Sequence, residues 1–241
     1  MTELRISFLA NNSSCEILTV SSADGEHWTN NTPANQAGGS TPALAVFNNG
    51  LYMAFMAHSA NDELLIVASN NGVNWTNNTP VNQKEQADAW GGWGPALAVF
   101  NGRLYMAFVA SNSTNSLLTI SSADGEHWTN NTPVNQASGW GPALAVFNGR
   151  LYMAFVANNS TDSLLIISSA DGESWTSNIQ VGQTCYFGPA LAVYDNRLYM
   201  AFMAHNSTNS LLTISSADGE HWTNNIQVGQ ALQLSPALAA F

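Results

Sequence analysis

Charge is the scarcest resource of this chain. Only 9% of its 241 residues are Asp, Glu, Lys or Arg, and five Lys+Arg face 16 Asp+Glu for a net charge of -11. So acidic a surface repels phosphate backbones and anionic lipid, which excludes nucleic acid and membrane insertion from the expected partners. Cysteine is nearly absent. Cys15 and Cys185 stand at unrelated places in the chain, so no disulfide framework and no CxxC metal signature is expected, and neither a metal nor another cofactor. Apolar stretches stay short of the ~18 residues of a membrane span. The opening MTELRISFLANNSS lacks a basic flank followed by a long apolar run, so the expected localisation is cytoplasmic, or secreted without a signal peptide. Helical periodicity is missing too, which excludes an α-rich fold.

What the chain has instead is repetition. SSADGEHW occupies 21–28, 121–128 and 215–222, SSADGESW 168–175, and a worn copy, ASNNGVNW, 68–75. The corresponding serines are Ser22, Ser69, Ser122, Ser169 and Ser216, so the intervals are 47, 53, 47 and 47 residues. A period of that length marks a stacked supersecondary unit. At 45% hydrophobic, the five units can bury one continuous core.

A single unit, 142–188, reads as four strands. PALAVF (142–147) is an apolar run with small alanines, and Asn148-Gly149 is a two-residue hairpin turn. RLYMAFVA (150–157) is aromatic and long enough for a second strand, and the polar NNSTD leads to SLLIISSA, the third. A polar fourth strand is expected from Trp175 to about Gln180. The fold class is therefore all-β, a five-bladed β-propeller of four-stranded antiparallel blades. The chain starts on a second-type strand and ends on a first-type one, PALAAF (236–241). The C-terminal strand is expected to join the N-terminal blade and close the ring. The blades are 236–241 plus 1–36, then 42–83, 95–136, 142–183 and 189–230, in one domain.

The pattern Ser-x-Asp-Gly-x-x-Trp resembles the Asp-box, or bacterial-neuraminidase repeat, found in sialidases and many other propellers. Four copies match it, and the second unit departs with Asn71 in place of Asp. Read from its residues, the box is a folded turn: Ser and Asp side chains satisfy turn amides, Gly takes a conformation others resist, and Trp packs beneath. Asn serves such a turn as well as Asp does. A catalytic carboxylate pair needs two differing environments rather than five copies of one.

Antiparallel order puts the boxes and the Asn-Gly turns on one face of the ring, and the second-to-third-strand loops and blade-to-blade linkers on the other. The second group is longer and varies between copies, where binding commonly resides. Two residues before the first-strand prolines stand Ser40, Trp93, Trp140, Phe187 and Leu234, with Tyr186 beside Phe187 and Trp90 in a six-residue insertion. The same face carries His58, Asn112, Asn158, Asn159, His205 and Asn206. An aromatic platform in exposed loops, flanked by neutral amides, suits a sugar, whose C–H face packs on the ring while its hydroxyls take directional hydrogen bonds. Trp93, Trp140, Tyr186, Phe187, His58, Asn112, Asn158, Asn159, His205 and Asn206 are thus the candidate ligand-binding residues.

The expected function is a multivalent lectin for neutral or N-acetylated sugars, with glycans or glycoproteins as partners, weak single sites being raised by avidity. Blade count and repeat length are similar to those of tachylectin-type five-bladed propeller lectins, which implies N-acetylated amino sugars. A protein-interaction or structural propeller is the alternative, since copies this alike fit recent or engineered amplification. No enzyme is expected. A sialidase-like hydrolase would need three converging arginines, whereas Arg103, Arg150 and Arg197 are repeat-equivalent and follow the turns of the opposite face. Other glycosidases need paired carboxylates, and the PALAVF strands carry none.

Overall fold

The computed structural model describes residues 4–11, 13–59, 61–85, 93–232, 235, 236 and 238. The first blade holds β1 (Leu4–Leu9), β2 (Glu16–Ser22) and β3 (Thr32–Ala37). The second holds β4 (Ala43–Phe47), β5 (Gly50–Met56), β6 (Glu63–Ser69) and β7 (Thr79–Lys84). Next come β8 (Ala96–Phe100), β9 (Arg103–Val109), β10 (Ser116–Ser122) and β11 (Thr132–Ala137). The fourth blade is β12 (Ala143–Phe147), β13 (Arg150–Val156), β14 (Ser163–Ser169) and β15 (Ile179–Thr184). The fifth is β16 (Ala190–Tyr194), β17 (Arg197–Met203), β18 (Ser210–Ser216) and β19 (Ile226–Ala231). Each blade is an antiparallel meander in chain order, and the inner strands β4, β8, β12 and β16 are neighbours in turn. The protein is all-β: five blades of the four-stranded antiparallel plan in a ring. The first blade shows three strands among the described residues. Its expected fourth, 236–241, lies largely outside them, as do Trp90 and Leu234.

The fourth strands begin later than the sequence suggests. In the fourth blade Trp175 makes only an isolated bridge to Ser169. The next residue finishes the turn: Ser168 N–H donates to Thr176 Oγ1 at 3.0 Å and Thr176 N–H to the Ser168 carbonyl at 2.9 Å. Only Ile179–Thr184 then pairs with β14, across a register shift between Ser163 and Leu165. A residue at positive φ lies in each of these outer strands (Asn35, Asn82, Asn135, Gly182 and Gly229), each of which pairs across the same shift of register.

The core lies between blades. Phe55, Phe108, Phe155 and Phe202, at one repeat position, are all fully buried. One cluster joins Phe100, Tyr105 and Leu117 of the third blade to Met153, Phe155 and Ile167 of the fourth. The junction of last and first blades is the least covered. Ile6 is 46% exposed where Met53, Met106, Met153 and Met200 are 0%, and Val228 is 46% where Val81, Val134 and Val181 are below 9%.

The boxes staple blade to blade. Ser122 Oγ donates to Asp124 Oδ1 at 2.9 Å and accepts from Gly125 N–H at 2.8 Å. Asp124 Oδ1 accepts from Glu126 and His127 N–H, each at 2.8 Å. Tyr52 of the preceding blade then donates to the Asp124 carbonyl at 3.2 Å, a contact repeated by Tyr105 to Asp171 and Tyr152 to Asp218. Arg5 fills this role at the first junction, donating to the Asn71 and Gly72 carbonyls. Gly125 is required twice over: its φ is +85° and a Cβ would lie 2.3 Å from the Tyr52 ring.

In the second blade Asn71 Oδ1 accepts from Val73 and Asn74 N–H, each at 2.9 Å, so the turn needs an acceptor rather than a charge. Where Asp is present, backbone N–H donors, with His27, His127 or His221 added in three copies, hold its carboxyl below the usual carboxylate range. The stabilisation this brings is present above the unfolded pKa near 4 and is lost as pH falls through the folded value. Changing Asp24, Asp124, Asp171 and Asp218 together to Asn is therefore expected to lower the thermal midpoint at pH 6, since the acceptor stays but the stabilisation that comes with the charge is lost. Its decline between pH 5 and pH 2 should flatten. A wild-type slope in that quadruple variant would show that the boxes do not govern acid unfolding.

Candidate functional site: the linker rim

On the face opposite the boxes, each outer strand hands the chain to the next blade. The bridges Gly38↔Ala57, Glu85↔Ala110, Ser138↔Ala157 and Cys185↔Ala204 tie the end of one blade to the second strand of the next. The loop residues just beyond are fixed the same way. His58, Asn158 and His205 N–H donate to the carbonyls of Ala37, Ala137 and Thr184 at 3.1–3.2 Å. His58, Asn158 and His205 therefore stand at junctions between blades.

The loop asparagines are preorganised. Asn112 Oδ1 accepts from Thr114 N–H at 3.1 Å and Thr114 Oγ1 at 3.0 Å. Asn159 and Asn206 repeat both bonds with Thr161 and Thr208. Fixing the carbonyl side leaves the Nδ2 groups of Asn112, Asn159 and Asn206 as outward donors.

The aromatic residues depart from the expected open platform. Trp93 is buried, at 7% exposure, and Trp140 and Phe187 are half-buried. They interleave, with ring centroids 5.8 Å apart for Trp93–Trp140 and 4.6 Å for Trp140–Phe187. Trp140 also packs against two inter-blade cores. The linkers converge as they enter the inner strands, so successive rings meet each other and spend their faces on mutual packing. Tyr186 alone of this group stays open, at 37% exposure. It lies over His205 with centroids 3.8 Å apart at 35°, and His205 Nδ1 stands 3.2 Å from Asp162 Oδ2. Asp162 and Tyr186 come from the fourth blade and its exit, His205 from the fifth. The equivalent of Asp162 beside His58 is Cys15, so this triad belongs to one junction.

Two residues that carry chemistry were missed from sequence: Asp162, and Glu85. Glu85 is completely buried. Its Oε2 accepts from Ser40 Oγ at a long 3.5 Å, and Oε1 has no partner. Burial pushes its carboxyl well above the usual range, with only Ser40 opposing. The signal was in the repeat: position 85 corresponds to Gly38, Ser138, Cys185 and Leu232, and no other copy is acidic. Among the described residues no group of three or more His, Cys, Asp or Glu side chains could hold a metal ion, and no helix is long and apolar enough to cross a membrane.

Among curated proteins, no sequence matches the chain. Solved structures share the fold. An α-L-arabinofuranosidase from Clostridium thermocellum superposes with a TM-score of 0.61 at 13% identity, over 94% of this chain and 90% of that one. A protein of unknown function from Dyadobacter fermentans reaches 0.68 at 16%, over 90% and 76%. A putative exo-β-1,3-galactanase from Bifidobacterium bifidum reaches 0.59 at 13%, over 92% and 75%.

The arabinofuranosidase and the galactanase correct the expectation that the chain is no enzyme: glycoside hydrolases are built on this same ring. That expectation weighed the carboxylates of the inner strands and of the boxes, whereas Glu85 sits where an outer strand turns into a linker. A family described as the DUF6242 β-propeller domain matches residues 95–237, more than half the chain. The chain belongs to the DUF6242 β-propeller domain family.

Proposed function

We propose that the protein binds carbohydrate on its linker rim, at the junctions between blades. The observation that carries this reading is the Tyr186–His205–Asp162 group: an open aromatic face, an imidazole ring stacked on it at 3.8 Å, and a carboxylate 3.2 Å behind. Such a corner offers a sugar ring a hydrophobic wall with a donor and an acceptor on its edge. The outward amides of Asn159 and Asn206 flank it, one from each blade. The other junctions keep the loop asparagines and lack the triad, so the fourth–fifth junction is the strongest site and avidity from the rest is modest. Trp93, Trp140 and Phe187 act as the wedge that holds the linkers in place.

The test is a glycan array with the wild-type protein, followed by titration of the best glycan against Tyr186→Ala and His205→Ala. Tyr186→Ala should weaken binding at least tenfold, the loss of one stacking wall, while Asn112→Ala two junctions away leaves it within twofold. An array without binders, or a Tyr186→Ala variant that binds as wild type, would sink the reading.

Hydrolysis is the second reading. The fold it shares with the arabinofuranosidase and the galactanase favours it, and Glu85, whose buried carboxyl is held above the usual range, is a candidate for the acid of the carboxylate pair that such an enzyme needs. It requires release of chromophore from aryl arabinosides or galactosides by the wild type, abolished in Glu85→Gln.

A further inference from the structure

Between the second and third blades the outer wall of the ring opens into a groove of about 270 Å³. One side is the outer strand β7, with Pro80, Val81, Asn82 and Gln83; the other is the third box and its exit, with Glu126, His127, Trp128, Thr129 and Asn130. We infer that this groove is a second ligand site, shaped for a single neutral sugar ring and separate from the linker rim.

At the next two junctions a carboxamide staple crosses the same gap. Asn178 Nδ2 donates to Gln136 Oε1 at 2.9 Å, and Asn225 Nδ2 donates to Gln183 Oε1 at 2.8 Å. The corresponding pair between the second and third blades is Asn131 and Gln83. These two are not bonded to each other, and Gln83 faces the groove instead. An amide that closes the wall at the next two junctions is here left to a ligand.

The lining decides the class of ligand. Pro80, Val81 and the Trp128 ring give an apolar wall, while Asn82, Gln83, Asn130 and Thr129 offer both donors and acceptors. That mixture matches a pyranose, which is apolar on its faces and hydroxylated at its edge. The volume is just below the roughly 300–1,000 Å³ of drug-sized pockets, so one ring fits and an oligosaccharide does not. Glu126 adds an acceptor. The His127 imidazole is held by Asp124 through Nδ1 at 2.8 Å, which fixes the ring and leaves Nε2 for a hydroxyl. An anionic ligand is disfavoured by Glu126.

The site can be read separately from the rim by NMR. With ¹⁵N-labelled protein, a panel of methyl pyranosides at millimolar concentration should shift the side-chain amides of Asn82, Gln83 and Asn130 and the Trp128 indole. Tetramethylammonium, probing instead for a cation against Trp128 and Glu126, should leave them in place. Gln83→Trp, which fills the groove, should abolish the shifts of Asn82, Asn130 and Trp128. Gln83→Leu keeps the bulk and removes the amide, and should weaken them several-fold if the larger change unfolds the protein. Tyr186→Ala should leave them intact, so that failure of the rim reading and failure of this one are told apart. The inference is overturned if no pyranoside moves these signals, if the shifts survive in Gln83→Trp, or if only tetramethylammonium produces them.

Discussion

Phe155→Ala is expected to cost about 3–5 kcal/mol, the usual range for removing a buried phenylalanine. For a chain of this size that lowers the thermal midpoint by roughly 2–4 °C per kcal/mol. Phe155 is 0% exposed and sits in the cluster that joins the third blade to the fourth. Its loss opens a cavity inside a junction, where β-sheets stapled by the boxes have little room to collapse. The repeat provides an internal comparison. Phe8 holds the same position in the first blade and is only half-buried. Around it Ile6 is 46% and Trp28 40% exposed, and across the gap Ile226 and Val228 of the last blade are 65% and 46% exposed. Phe8→Ala leaves a void that solvent already borders, so its cost should be less than half that of Phe155→Ala. Urea unfolding of the two variants, at constant slope, measures the difference directly. Equal costs would mean that the last-to-first junction is packed like the other four.

The ring was legible because five copies of one signal fall in register. Asn148-Gly149 predicts a hairpin wherever it stands, and a box every 47 residues, or 53 across the one insertion, fixes where each blade ends. Local chemistry sufficed for both. The outer strands were placed about four residues early, since Trp175 reads as a strand residue while Thr176 is engaged in closing the turn. The candidate site was legible only as a set of loops. Which aromatics keep an open face depends on how linkers meet at the centre of the ring. That geometry buries Trp93 and spares Tyr186, though both are aromatic residues in linkers of the same face. The Asp162–His205 pair joins residues 43 positions apart in chain order, across two blades, and no spacing within one repeat could announce it. Glu85 was missed for a different reason: strand patterning ignores it, and only a column-by-column comparison of the copies isolates it.

Glu85→Ser should stabilise the protein by about 1–3 kcal/mol at pH 7, the range for relieving a buried polar group without a partner. The end of the third blade shows what a hydroxyl does at this position. Ser138 Oγ donates within 2.6 Å of the Trp140 carbonyl and 2.8 Å of the Val156 carbonyl, and the Cys185 thiol donates to the Phe187 carbonyl. A serine introduced at position 85 would find the carbonyl of Val109, the counterpart of Val156. The wild-type carboxyl has one long bond to Ser40 and an unpaired Oε1. Its folded pKa lies well above the unfolded value, so between the two the folded state binds more protons than the unfolded state. Stability is fully present below about pH 4.5 and falls as pH rises toward the folded pKa, by up to ~1.4 kcal/mol per unit. The advantage of Glu85→Ser should therefore be smallest at pH 4 and grow toward pH 7. Glu85→Gln separates the two causes: it removes the titration while keeping the bulk, so its stability should follow the same flattened pH curve with a smaller absolute gain. Denaturant midpoints of the three proteins at pH 4, 5.5 and 7 decide the matter. A gain that does not change with pH would show that the carboxyl titrates alike in both states, and a loss at pH 7 would show that it is satisfied where it stands.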